Sequence, residues 1–410
     1  MGCRISEDHL LHDTPDENFY ALARSFGDRW GLVRGSNAPP CVVRNLNSTN
    51  VTITVQVDDY KVVFWSPRTA SNLGVPFPET RENFMTHWAI LNLLVMLENF
   101  PSPKILDWNP YAHPLLEAPY ICMTHLPGQR LSDAWFDKSN LIPLEQRRLR
   151  TLQCIAEAIA TLSNDKEYTR ILSSNLQPES HYLQTDVENN GDGTETVLSS
   201  PKFCTDRESF NLLFEDNGMD GAQKFALMMS EILPITDSPA SFVLRTPCLE
   251  MENILVDEEG SITGLLHWEG TTAWPAWMGS TYPPWICQDV VADMDGYKDD
   301  LSHETALEYR RFFRQQLNAK LEDPDDRQWC KASHIRRLIW LAATDVDARP
   351  WICASVLAKL LGISLDTDED YSKHREELAQ KLAQMGSPDY PEEDFQALRV
   401  KFKTWMDSTE

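Results

Sequence analysis

Residues 242–269, FVLRTPCLEMENILVDEEGSITGLLHWE, constrain the fold more than any other stretch of the chain. Residues 253–257 and 261–268 are short, apolar and β-prone. Glu258-Glu259-Gly260 between them reads as a turn, so the segment predicts a β-hairpin. Side chains able to do chemistry gather at its two ends. Cys248, Glu250 and Glu252 precede the first strand, Asn253 opens it, and His267 lies near the end of the second.

The pattern on either side predicts an α+β chain. VTITVQV (51–57) alternates, Asp58-Asp59 is a turn, and YKVVFW (60–65) follows as a second strand. A helix is predicted over 79–98, apolar on so much of its surface that it should be buried between elements. Pro101-Ser102-Pro103 stops it, and PYICMTH (119–125) reads as a buried strand running into Pro127-Gly128. Leu152, Ile155, Ile159 and Leu162 form a helical stripe. Residues 183–220 are polar, with Asn189-Asn190-Gly191-Asp192-Gly193 as a hairpin turn or surface loop. Further helices are predicted near 301–321, 333–346, 350–362, 369–386 and 391–407.

Composition excludes several function classes. A formal net charge of −25 opposes broad contact with a phosphate backbone, so no nucleic-acid partner is expected. No apolar run approaches the roughly 18–20 residues that span a bilayer. Nine cysteines without a C-x-x-C pair suit reduced thiols, and a cytoplasmic location is expected. The opening Met1-Gly2-Cys3-Arg4-Ile5-Ser6 fits an acylation pattern, and lipid on Gly2 and Cys3 would anchor the chain to a membrane. Glu7 and Asp8 would oppose an anionic leaflet.

Several motifs together resemble the fungal branch of the aminoglycoside phosphotransferase and choline-kinase-like family. PSPKILDWN, then APYICMTHLPGQRLSDAW (118–135), is similar to that family's hinge region. FVLRTPCLEMENILVDEEGSITGLLHWEG is similar to its F-V-L-x-H-x-D-L-H-P-x-N-I-L-V-D-x-x-G-x-I-x-G-I-I-D-W-E-G, and TTAWPAWMGSTYPPWI follows as the family's W-x-x-x-x-Y-P-x-W region does. The resemblance spans about residues 20–405. It implies a two-lobed protein-kinase-like fold, with a small β-rich N-lobe and a large, mostly helical C-lobe. The boundaries expected are a flexible N-terminus over 1–20, an N-lobe over 21–126 and a C-lobe over 127–410.

The resemblance also implies a cleft in which the chemistry has changed. The family's catalytic Asp corresponds to Cys248, the His before it to Thr246, and its metal-binding Asp to His267. Its strand cation corresponds to Trp65 and the acid holding that cation to His87, while the metal-binding Asn is kept as Asn253. Met123 is a further cleft position. The family's phosphate-covering loop carries glycine, yet no glycine occurs between Gly35 and Gly74. Phosphoryl transfer is chiefly positioning and charge neutralisation, and Mg²⁺ prefers hard oxygen ligands. Loss of a general base alone costs about 10²–10⁴-fold.

Three readings stay open. The first is a pseudokinase-type binding or regulatory protein with a small-molecule ligand in the cleft. The second is an enzyme repurposed around Cys248 as nucleophile and His267 as base, with Asn253 or Glu250 orienting the imidazole. The third is a surviving kinase in which Glu250 or Glu252 supplies the lost carboxylate, and only that reading calls for ATP and Mg²⁺. No resident metal is expected, because Cys248 and His267 lack further clear ligands. Each residue also has a plainer role: Trp65 as core filling, His87 as a packed helix residue, Cys248 as an inert thiol.

Overall fold

A computed structural model describes residues 14–31, 40–46, 50–67, 77–111, 113–165, 187–189, 195–197, 220–233, 242–245, 249–268, 271–275, 279–287, 301–324, 326–345, 347–363 and 368–408. Gly2, Cys3, Thr246, Cys248 and the turn 190–193 lie outside them. The chain is mixed α+β, with an antiparallel sheet and a mostly helical remainder, as expected. It divides into two compact units, Met1–Thr151 with Thr246–Thr271 and Leu152–Arg245 with Thr272–Glu410.

The first unit is built on a five-stranded antiparallel sheet of β1 (Cys41–Leu46), β2 (Asn50–Val57), β3 (Tyr60–Pro67), β4 (Ile105–Asn109) and β5 (Tyr120–Thr124), in the order β1-β2-β3-β5-β4. Alternation decides its two faces. Val51, Ile53, Val55 and Val57 of β2 are buried, while Thr52, Thr54 and Gln56 are half-buried on the other side. The turn between β2 and β3 places Asp58 at φ 51, a left-handed conformation that Asp tolerates well.

Helix α1 (Asp16–Trp30) covers the apolar face. Phe19, Leu22, Ala23 and Phe26 fall at helical spacing and are buried, with the Phe19 ring edge-on to Phe64 at 5.4 Å. Arg44 of β1 donates to Asp16 at 2.5 Å, and the Trp30 indole donates to the Leu106 carbonyl of β4 at 2.9 Å. Helix α2 (Phe77–Met96) joins β3 to β4. It was expected to be buried between elements. Among its described side chains, Phe84, His87, Ile90, Leu91 and Leu94 are buried, but Val95 and Met96 at its end are exposed.

A smaller sheet in the same unit has the order β11-β10-β6, from β6 (Gln129–Arg130), β10 (Ile254–Val256) and β11 (Ile262–Leu265). The predicted hairpin is therefore present. Asp257 Oδ1 closes its turn by accepting from the Glu259 and Ser261 amides, at 3.1 and 2.7 Å. Two further helices, α3 (Leu131–Ala134) and α4 (Leu144–Asn164), follow β6. The start of α4 holds the turn from outside, with Thr151 Oγ1 donating to the Gly260 carbonyl at 2.7 Å. Buried Arg147 of the same helix donates to the carbonyls of Ala134, Asp137 and Ile142.

The second strand is shorter than its apolar run predicted. The Leu265 amide bonds to Pro101 O and the Leu266 amide to Asn253 O, at 2.7 and 2.8 Å. The chain then leaves the ladder. His267 adopts φ 57, and the Trp268 indole turns back to the Leu265 carbonyl at 2.9 Å.

The second unit holds two strand pairs. β7 (Val187–Asn189) with β8 (Glu195–Val197) flanks the predicted hairpin turn, and β9 (Phe242–Arg245) pairs with β12 (Thr272–Pro275). Its helices are α5 (Gly221–Ile232), α6 (His303–Lys320), α7 (Ser333–Thr344), α8 (Arg349–Leu361), α9 (Asp368–Gly386) and α10 (Glu392–Ser408). Phe225 and Met229 of α5 share one core with Ile339, Leu357, Leu378 and Phe402 from four of the others. Among the described residues no helix is long and apolar enough to cross a membrane.

Candidate functional site

Within the first unit, the half-buried face of the large sheet meets the hairpin ends around a cavity of about 980 Å³. Strand register sets its upper wall. Thr52 pairs with Trp65, Thr54 with Val63, and Val63 with Met123, so these side chains share one face. His87 reaches the cavity from α2. The hairpin contributes Asn253 just before β10 and His267 just after β11, because the Leu266 amide bonds directly to Asn253 O.

Trp65 and His87 form the most specific contact of this wall. Their ring centroids lie 4.5 Å apart at 43°, and Phe84 stands 6.0 Å from Trp65 on the same helix. Trp65 is 4% and His87 5% exposed. The Trp65 indole nitrogen is buried and has no hydrogen-bond partner among the described residues.

Arg44 turns its side chain to the α1 side of the sheet, as its register partner Ile53 does, and is held there by Asp16, while Arg130 on the cavity side lies 3.4 Å from Glu252. The second pair is exposed, and such pairs are worth about 0–1 kcal/mol. His125, also on the wall, has its imidazole pKa lowered, first by burial and then by the nearby Lys61 ammonium.

Six of the residues singled out from the sequence thus line one cavity: Trp65, His87, Met123, Glu252, Asn253 and His267. Glu250 is not among the lining residues. It is exposed and precedes the single turn Met251–Asn253, where its carbonyl accepts from the Asn253 amide at 2.9 Å. Cys248 lies outside the described residues, so its pairing with His267 has no geometry to describe. The sequence reading did not single out Thr52, Thr54, Arg44 or Arg130. The threonines were detectable, because the polar positions of an alternating strand must face something other than the core.

Among the described residues the lining offers one carboxylate, Glu252, and that carboxylate faces Arg130. Among the described residues no group of three or more His, Cys, Asp or Glu side chains is placed to hold a metal ion.

No family model matches the chain, and no curated protein sequence matches it. Solved structures similar to it include a Ralstonia eutropha protein assigned as an aminoglycoside phosphotransferase, with a TM-score of 0.49 and 13% identity over 94% of this chain and 99% of that one. A macrolide 2′-phosphotransferase type I has a TM-score of 0.43 at 14% identity, over 89% and 98% of the two chains. Plasmodium vivax ethanolamine kinase has a TM-score of 0.38 at 11% identity, over 92% and 90%.

Proposed function

We propose that this chain is a degenerate, aminoglycoside-phosphotransferase-like protein of the fungal branch, which binds a small molecule in the cavity and does not transfer phosphate from ATP. The observation carrying this reading is the Trp65–His87 stack, 4.5 Å apart and almost wholly buried. The motif resemblance puts a phosphate-binding cation and its carboxylate partner at these two positions. An indole supplies no charge to a polyphosphate, and phosphoryl transfer depends chiefly on neutralising the charge that develops there. The stack instead fills the space behind the wall with packed rings. His267 in place of a metal-binding carboxylate acts in the same direction, since imidazole is a poorer partner than oxygen for Mg²⁺.

The test is ATP turnover by the full chain with Mg²⁺, with and without a panel of amino-alcohol and aminoglycoside acceptors. The expected result is turnover at the level of the blank. Mg²⁺-dependent turnover that disappears in Asn253→Ala overturns the reading.

A further inference from the structure

We propose that the cavity takes an uncharged, hydroxyl-rich small molecule, a polyol or a sugar, laid against strands β1 and β2. This rests on the reading that phosphotransfer is absent, and goes further by naming the class of ligand.

Strand register places the groups that would hold it. Asn45 of β1 is paired with Thr52 of β2, and Thr54 lies two residues further along the same face. Directly opposed strand positions stand about 4.5–5.5 Å apart, and alternate residues of one strand about 6.4–6.8 Å apart. A single sugar ring or a short polyol bridges such a span with two of its hydroxyls. All three residues line the cavity, and none of the three side chains is hydrogen-bonded to another described residue. Thr52 and Thr54 are half-buried, so their hydroxyls are partly shielded from water. The cavity volume of about 980 Å³ lies within the range of about 300–1,000 Å³ that small-molecule sites occupy.

The chemistry of these groups selects the ligand. A threonine hydroxyl and an asparagine carboxamide each donate and accept hydrogen bonds. An alcohol does both as well, so each hydroxyl of a polyol can bond this wall in either sense. A carboxylate or a phosphate only accepts, and an ammonium only donates, so each leaves part of the wall unmatched. Charge points the same way. Among the described residues the charged side chains on the cavity side are Arg130 and Glu252, 3.4 Å apart, while Arg44 is turned to Asp16. A charged ligand gains from one member of that pair and loses to the other, and a neutral ligand meets neither. His125 on the same wall is held below its ordinary pKa by burial and by Lys61, which keeps it neutral at pH 7.5.

The experiment is titration calorimetry on the full chain at pH 7.5. Glucose, ribose, sorbitol and myo-inositol are the uncharged probes, and gluconate, glucose 6-phosphate and glucosamine the charged ones. ATP turnover with Mg²⁺ is followed in parallel. The expected result is that at least one uncharged probe binds about fivefold or more tightly than any charged probe, and that Thr52→Val and Thr54→Val each weaken it by about three- to tenfold. Valine keeps the branched shape that suits a strand and removes the hydroxyl. Where one valine variant does not fold, the other gives the reading. A charged probe that binds as tightly, no binding by any uncharged probe, or undiminished affinity in either folded variant overturns the inference. Mg²⁺-dependent ATP turnover overturns the absence of phosphotransfer, and the inference with it, whichever probe binds. Absent uncharged binding without ATP turnover overturns the ligand class alone.

Discussion

At the scale of single residues, backbone conformation does much of the positioning. Gly128 follows β5 at φ +117 and lines the cavity. A Cβ there would lie 2.4 Å from Thr263 Oγ1 and 2.8 Å from the Val256 carbonyl oxygen. The second contact is with backbone, so it cannot be relieved by turning a side chain. Gly128→Ala should therefore destabilise the protein by about 2 kcal/mol or more, combining left-handed strain with a clash against β10. Urea unfolding of the variant measures this. Thr263→Ala in the same chain should restore only part of the loss, and full restoration would show that the Val256 contact is unimportant. The Pro127-Gly128 break was legible in the sequence because both residues punctuate structure. The left-handed His267 was not legible. It follows an apolar strand with no turn residue beside it, directly after Leu265 and Leu266, whose amides bond to Pro101 and Asn253.

At the scale of elements, strong periodicity is what could be read. The alternation of β2 and the apolar runs around Glu258-Glu259-Gly260 identified strands that the structure has, with their turns. Helix α1 carries an equally good stripe at Phe19, Leu22, Ala23 and Phe26, but Arg24, Asp28 and the internal Gly27 dilute it locally. Its burial comes from the face of β2 and β3, a distant surface that the local pattern does not contain. Helix α5 is apolar on most sides and β6 is two residues long, so neither has a clear period of its own. The β10–β11 hairpin also shows how an element serves the cavity, since its ends carry Asn253 and His267. Its turn depends on Asp257 Oδ1, which accepts from two backbone amides. Asp257→Ala removes both acceptor contacts and should cost about 1–2 kcal/mol. Because the strand ends would then lose their fixed spacing, the variant should also bind any cavity ligand more weakly than wild type at a temperature where both are folded. Asp257→Asn should recover most of both losses, because an amide oxygen can accept the same bonds. Equal ligand affinity in Asp257→Ala and wild type would show that the turn does not position the cavity.

At the scale of the whole molecule, acidity dominates the surface while a cationic cluster lies inside the second unit. His334 is buried there, its ring 5.5 Å from that of Tyr282. Burial pushes its imidazole pKa well below the ordinary value, and the Arg310 and Arg336 guanidiniums push in the same direction. The Arg336 pKa is itself lowered to about 10 by burial, while the thiol of Cys330 is raised to about 12 by burial. A histidine held neutral in the folded state binds its proton more readily when unfolded, at a pKa near 6.5. The unfolded chain therefore gains protons first as pH falls, and His334 contributes stability that is present above about pH 6.5 and is lost as pH falls towards its folded pKa. Other groups act across the same range. Protonation of exposed histidines lowers a net charge of −25 and relieves self-repulsion, which opposes the loss. Half-buried His125, whose pKa is also lowered, adds to the loss. The total pH profile mixes these effects, but the difference between wild type and His334→Gln isolates one of them. Relative to the variant, wild type should lose stability below pH 6.5 with a slope of up to about 1.4 kcal/mol per pH unit, and the two curves should run parallel above pH 7.5. Denaturant unfolding at half-unit steps from pH 8 to 5.5, in salt high enough to screen the surface, measures the slope. Parallel curves throughout would show that His334 binds its proton equally well folded and unfolded, and would overturn this account of its stability contribution.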